Sequence, residues 1–190
     1  YLKAADMHEK AGEHRLAADI FRLEKNFARA GENYEKAGMI DEALALYREA
    51  KLETKELELL TSQNRTIDLG FYFLVRRLYE QALSIVQDIP HNHPQAHRAF
   101  AIKGRVYLEK KNIIKAKEAF QEALESRIKI DKDDLDTIFF YAKTDADGAS
   151  EALEILENKM AQNLIQEDAM EHAKKIRTLI QEKSLTRLTN

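Results

Sequence analysis

Cysteine and tryptophan are both absent from this 190-residue chain. Without thiols it can form no disulfide, no thiolate metal site and no cysteine nucleophile. That composition fits a reducing compartment, and a cytoplasmic location is the default expectation. Two prolines and six glycines are too few punctuating residues for a turn-rich β fold. No apolar run approaches the roughly 20 residues of a membrane-spanning helix. A P-loop, a dinucleotide-binding glycine fingerprint, a glycine-flanked serine nucleophile and an HExxH pair are also missing. The serines stand in helix-like or turn-like contexts, so the chain offers no catalytic set and no cofactor site, and it reads as a non-enzyme. It opens at Tyr1, already inside a helix-like pattern and with no initiator methionine. The expectation is therefore a fragment of a longer protein.

Ala, Leu, Glu, Lys, Gln and Arg fill most of the chain, and these have the best intrinsic helix propensities. Hydrophobic residues at 44% can supply a core while charged residues at 33% cover it. The net charge of −3 is unevenly spread: residues 1–62 carry ten Lys/Arg against thirteen Asp/Glu, residues 63–130 twelve against seven, and residues 131–190 eight against thirteen. A basic middle between acidic flanks can attract an acidic segment of a partner. The plainer reading is variation among solvated faces.

Gly70, Phe73, Ala82 and Val86 recur 34 residues later (104 − 70) as Gly104, Tyr107, Ala116 and Phe120. A fixed period of this size marks a stacked array of helix pairs. In the clearest unit, 97–130, a first helix ends at the polar break Lys110-Lys111-Asn112. A second runs from Ile113 to Ser126 with Ala116, Ala119, Phe120, Ala123 and Leu124 on one stripe. A glycine inside a helix costs about 0.5–1 kcal/mol relative to alanine, so a recurring one implies close approach of two backbones. The unit 24–57 shows the same pattern as Gly31, Tyr34, Ala43, Tyr47 and Ala50, with Glu58 to Ser62 as a spacer before unit 63–96. Nearer the start the period contracts: Glu9-Lys10-Ala11-Gly12 returns as Glu35-Lys36-Ala37-Gly38, an offset of 26. After Ile130 it weakens through a fifth unit. Leu164 to Ser184 then reads as a long last helix whose Ile165, Ala169, Ala173, Ile176 and Ile180 cover the apolar end of the array.

In these positions the chain resembles the tetratricopeptide repeat family over about residues 1–160, most closely over 24–130. The resemblance implies an all-α fold: one domain, 1–190, forming a right-handed α-solenoid of antiparallel helix pairs. Its units are about 1–23, 24–57, 63–96, 97–130 and 131–163, followed by a capping helix at 164–184. It further implies a non-catalytic adaptor or scaffold that holds a partner peptide or helix in a concave groove, lined by first-helix side chains not used in packing. Carried onto this chain, those are Asn64, Ile67, Phe71 and Leu74 of one unit and Arg98, Ile102 and Arg105 of the next. Ile67, Phe71 and Leu74 would anchor apolar side chains, and Arg98 and Arg105 would orient acids, which suits an acidic or amphipathic partner. The competing reading of Phe71-Tyr72-Phe73-Leu74 is core, with the C-terminal helix folded over it. Alternatives at the level of function are a structural assembly segment of a coat, flagellar or transport scaffold, or the regulatory domain of an enzyme whose catalytic part lies in another segment.

Other constellations are weaker. Lys25 and Arg29 stand where some family members clamp a terminal carboxylate, but Asp6 occupies one position that should carry asparagine and would repel that group. His91, His93 and His97 lack a nearby carboxylate to complete a metal site. They read as the approach to a helix with Pro94 first and Asn92 or His93 capping it. Asp145, Asp147, Gly148 and Glu154 fall at calcium-loop spacing, yet Lys143 occupies the first ligand place. A turn capped by Asp147 or Ser150 is expected instead. Asp131 to Asp134 suits an acidic first helical turn. The cations Lys103, Arg105, Lys110, Lys111, Lys115 and Lys117 are split over two helices without interleaved aromatics, so no nucleic-acid partner is expected.

Overall fold

The computed structural model of the chain describes residues 1–125 and 127–188, with side chains as far as Glu182. Ser126, the expected end of the second helix of unit 97–130, lies outside the described residues. Among those described, the fold is all-α. The helices are α1 (Leu2–Lys10), α2 (His14–Leu23), α3 (Phe27–Lys36), α4 (Ile40–Glu49), α5 (Glu53–Ser62), α6 (Thr66–Val75), α7 (Tyr79–Val86), α8 (Ala96–Glu109), α9 (Ile113–Glu125), α10 (Lys132–Tyr141), α11 (Ala146–Ala161) and α12 (Met170–Leu188). A 3₁₀ turn, Glu167–Ala169, leads into the last. No helix among the described residues is long and apolar enough to cross a membrane. Contacts divide the chain into two compact units, Tyr1–Arg65 and Thr66–Asn190.

The first half of the chain is ruled by a shorter period than 34. Helices α2 to α7 begin at residues 14, 27, 40, 53, 66 and 79, each 13 after the last. The residues of positive φ keep the same step: Gly12, Lys25, Gly38, Lys51, Asn64 and Arg77, at φ between 51° and 79°. Each is a left-handed turn closing the helix before it. The N–H of the next residue reaches the carbonyl five residues back, as in Asn26 to Phe21 at 2.8 Å, Leu52 to Tyr47 at 2.8 Å and Leu78 to Phe73 at 2.9 Å. This Schellman arrangement satisfies the orphan carbonyls of one helix. The residue that donates is at once the N-cap of the next helix at Glu13, Asn26, Met39, Leu52 and Leu78. The stretch Glu58 to Ser62 is thus no spacer but the second half of α5. Only beyond Arg77 does the step lengthen to 34, with the next such turn at Lys111.

In the first unit each helix packs on its successor. Ala17, Ala30 and Ala43, 13 apart, are fully buried, as are Phe21, Tyr34 and Tyr47 four residues further on. An ionic node ties α1 to α3. Asn33, fully buried, donates to Glu9 at 3.0 Å, and Arg29 reaches Glu9 at 2.5 Å and Asp6 at 2.6 Å. Arg29 therefore serves an internal pair. The Arg29 bond first, then Asn33 and Lys36, hold the Glu9 carboxyl down from 4.5 to about 2.

In the second unit α8 packs on α6, α7, α9 and α10, and α12 packs on α10 and α11. All five residues of the C-terminal stripe, Ile165, Ala169, Ala173, Ile176 and Ile180, are buried in the core that α9 to α12 share. Ile165 precedes the helix. It forms a parallel bridge with Ile130, whose N–H donates to the Leu164 carbonyl at 2.8 Å, so α12 starts at Met170 instead of Leu164. Asp131 caps α10 in a capping box with Asp134, and Arg127 holds both acids, at 2.9 and 2.7 Å. The cap of α11 is Asp145, which accepts from the Gly148 N–H at 2.6 Å; Asp147 and Ser150 do not take that role. At α8 the helix begins at Ala96, two residues past Pro94, with Gln95 as N-cap.

The recurring helical glycines have a steric cause. A methyl group on Gly104 would stand 2.5 Å from the Phe120 ring, and one on Gly70 would stand 2.6 Å from Val86. Gly31 meets Tyr47 in the same way, and all three pairs are 16 residues apart. Phe120 is fully buried and has no space to yield. Gly104→Ala is therefore expected to destabilise by about 1–3 kcal/mol through overpacking, read as a lower midpoint in urea unfolding with helix content retained. At the turns the direction reverses. Lys51 holds a left-handed conformation that costs a non-glycine residue roughly 1–2 kcal/mol, so Lys51→Gly should stabilise by about 0.5–1 kcal/mol after the entropy of glycine is counted. Gly38→Ala should destabilise by a similar amount. Glu9 has a folded pKa below its unfolded one, so its contribution is complete above about 4.5 and is lost as pH falls toward 2. Glu9→Gln should lower stability at pH 7 by about 1–2 kcal/mol and flatten the dependence of unfolding on pH across that window.

Candidate functional site

The residues singled out by the repeat register do not form one surface. Asn64 is an exposed turn residue at the end of α5, in the first unit. Ile67, Leu74 and Ile102 are 3–4% exposed and belong to one core cluster with Ala82, Val86, Ala99 and Val106. They cannot anchor a partner's side chains. The cause is that α6 is packed from two sides, by α7 and by α8. Ile102 reaches across from α8 to within 3.4 Å of the place a Gly70 side chain would occupy. A helix so enclosed leaves only a narrow strip outside.

That strip carries Phe71, which is 41% exposed, and Val75, which is 50% exposed; Leu78 continues it just past the helix at 40%. Phe71 and Val75, four residues apart, share one face of α6, while Leu78 follows the left-handed turn at Arg77 as the N-cap of α7. Beside them runs the outer face of α8, with Arg98 and Arg105 two turns apart. Arg98 is engaged. Its guanidinium meets Asp68 of α6 at 3.1 Å and Asp133 of α10 at 3.7 Å, and Asp68 is itself largely buried. This ladder of acid, base and acid joins three helices and neutralises Arg98 within the fold.

Arg105 is held differently. Its guanidinium lies 5.8 Å from the centre of the Phe71 ring and 4.2 Å from that of Phe140 on α10. Both distances are within cation–π range. The residue is half-buried, and that burial works against its charge, lowering the pKa. Asp136, Glu109 and Tyr79 oppose the shift at longer range. Asp136 is paired with His172 at 3.2 Å, and Glu109 accepts from the Tyr79 hydroxyl at 3.5 Å. The Lys143 ammonium lies 4.9 Å from the centre of the Phe140 ring and 4.2 Å from that of Phe139.

Of the residues on this face, Phe140 and Asp133 were not among those the repeat register assigned to the groove. A signal for Phe140 exists in the run Phe139-Phe140-Tyr141. Three successive aromatics on a helix point about 100° apart, so they cannot all face one core. Tyr141 takes the core position, fully buried, and the two phenylalanines stay partly exposed.

The remaining constellations are occupied by local structure. The His91 ring stacks edge-on against Phe100 at 4.6 Å, and His93 accepts from the Gln95 N–H. Among the described residues no group of three or more His, Asp or Glu is arranged to hold a metal ion. The cations of unit 97–130 are largely engaged within the fold: Lys110 with Glu80, Lys117 with Asp145 and Glu151, Lys103 with the Gln87 carbonyl, and Lys115 over Tyr107. No protein-family model, curated protein or solved structure matches this chain.

Proposed function

We propose that the chain is a non-catalytic protein-interaction module, built as a tetratricopeptide-like right-handed solenoid of antiparallel helix pairs, that docks a partner peptide or helix along α6, α8 and α10. The packing of consecutive helices supports the architecture, as does the repeated placing of a helical glycine under a buried side chain at Gly70–Val86 and Gly104–Phe120. The observation that carries the docking reading is the exposure of three large apolar side chains, Phe71 and Val75 on α6 and Leu78 just past its end. Of the register-based anchors Ile67, Phe71 and Leu74, only Phe71 remains available, and Val75 and Leu78 join it. Arg98 becomes a structural residue. A face held open by packed helices loses little entropy when it binds, so the ordering cost falls on the partner segment.

A second reading has its own support. Leu16, at 50% exposure, and Leu23, at 77%, stand seven residues apart on α2, and Met7 of α1 is 71% exposed. An apolar stripe there suits a structural assembly segment that packs end to end. In that case light scattering on the purified chain would show mass rising with concentration.

Photo-crosslinking separates the two. With p-benzoylphenylalanine placed at Val75 in cells expressing the protein, the interaction reading expects a discrete heterologous adduct. Placement at exposed Ser84 on α7 should give none. Equal adducts at both positions, or adducts only between copies of this chain, would overturn it.

A further inference from the structure

Arg105 presents an unusual balance of contacts. The two faces of its guanidinium plane are the parts that rings can satisfy, and Phe71 and Phe140 lie within reach of them. Its five N–H donors lie in that plane, and a ring centre offers them no carboxylate or carbonyl oxygen. Among the described residues no carboxylate or carbonyl comes within ion-pair or hydrogen-bond range of Arg105. The nearest acids are already committed, Asp136 to His172 and Glu109 to Tyr79. Arg98, on the same helix face, has two carboxylates.

A partly desolvated cation without an anion is a cost in the free protein, and a ligand carboxylate would relieve it. The planar fork of arginine matches a carboxylate in two parallel hydrogen bonds. Contact with the Phe140 and Phe71 rings restricts the side chain in advance, so less of its freedom is lost on capture. Phe71, Val75 and Leu78 are exposed at 41%, 50% and 40%.

We propose that Arg105 is the anion-recognition residue of this face. It takes the carboxylate of a partner's Asp or Glu along one edge of its guanidinium, while a partner Leu, Ile or Phe one helical turn away rests on Phe71 and Val75. The occupant is thus an acidic amphipathic helix of another protein. The inference rests on the docking reading above and names the chemistry that the docked segment must carry.

A phage-displayed library of random dodecapeptides, selected on the full chain, tests it. Enriched sequences are expected to carry Asp or Glu three or four residues from Leu, Ile or Phe. A synthetic peptide of the commonest enriched sequence should bind Arg105→Gln about tenfold or more weakly than the parent chain. Its own Glu→Gln version should lose the same factor, with no further loss when the two changes are combined. Arg105→Lys keeps the charge but not the fork and should recover only part of the affinity. Circular dichroism melts on each variant confirm that a folded chain is being compared. Enriched peptides that lack acids, or that bind Arg105→Gln as well as the parent, would overturn the role of Arg105 and leave the docking face standing. A library that yields no enrichment on the parent, or the same sequences on Val75→Glu, would overturn the docking face itself and this inference with it.

Discussion

A left-handed residue every 13 positions governs the first half of this protein. One such residue lets the chain reverse in three residues, because the N–H groups that follow it satisfy the last carbonyls of the helix just finished and at the same time open the next helix. Ten-residue helices follow from the same constraint. With the turn spacing set, a helix has under three turns in which to bury its apolar stripe, too short to be stable alone in water. Neighbour packing must supply the rest. That is why small residues such as Ala17, Ala30 and Ala43 stand at matching places. Where the step lengthens after Arg77, α8 and α9 grow to 14 and 13 residues, and Phe120 and Tyr141 are fully buried in the core that α9 to α12 share.

Close packing sets the second level. A helical glycine facing a buried side chain 16 residues on occurs at Gly31–Tyr47, Gly70–Val86 and Gly104–Phe120. The glycines were legible in the sequence because a glycine in a helix is costly and its recurrence needs a reason, but their partners were not: close approach of two backbones was expected where a large side chain fills the gap. The all-α class, the helix pairing at 97–125 and the buried C-terminal stripe from Ile165 to Ile180 were legible on the same grounds. The 13-residue turn was only half visible. Glycine marks it at Gly12 and Gly38, which gave the offset of 26, whereas Lys25, Lys51, Asn64 and Arg77 adopt the same conformation with side chains that announce nothing. For that reason the second half of α5 read as a spacer.

The site was harder to read for a different reason. A register assigns each position to a face, but the width of the free face depends on how many neighbours enclose the helix. Both α7 and α8 press on α6, so Ile67 and Leu74 turn inward while Phe71 and Val75, four and one residues away, stay outside. Arg98 shows the same limit. Its partners Asp68 and Asp133 lie 30 and 35 residues away in sequence, and a segmental charge count treats all three as independent.

Arg98 and Arg105 sit seven residues apart on one helix, and the same three helices treat them in opposite ways. At Arg98 the flanking positions on α6 and α10 supply carboxylates, so the charge is consumed and the rung is mechanical. At Arg105 those neighbouring helices supply Phe71 and Phe140, which orient a guanidinium without neutralising it. Stability alone would favour an acid at either place, since a paired arginine is less costly to bury than an unpaired one. The aromatic rung forgoes that gain and keeps both a cation and apolar side chains exposed side by side. The combination makes sense if the missing anion arrives with a partner whose apolar residues cover Phe71 and Val75 in the same step.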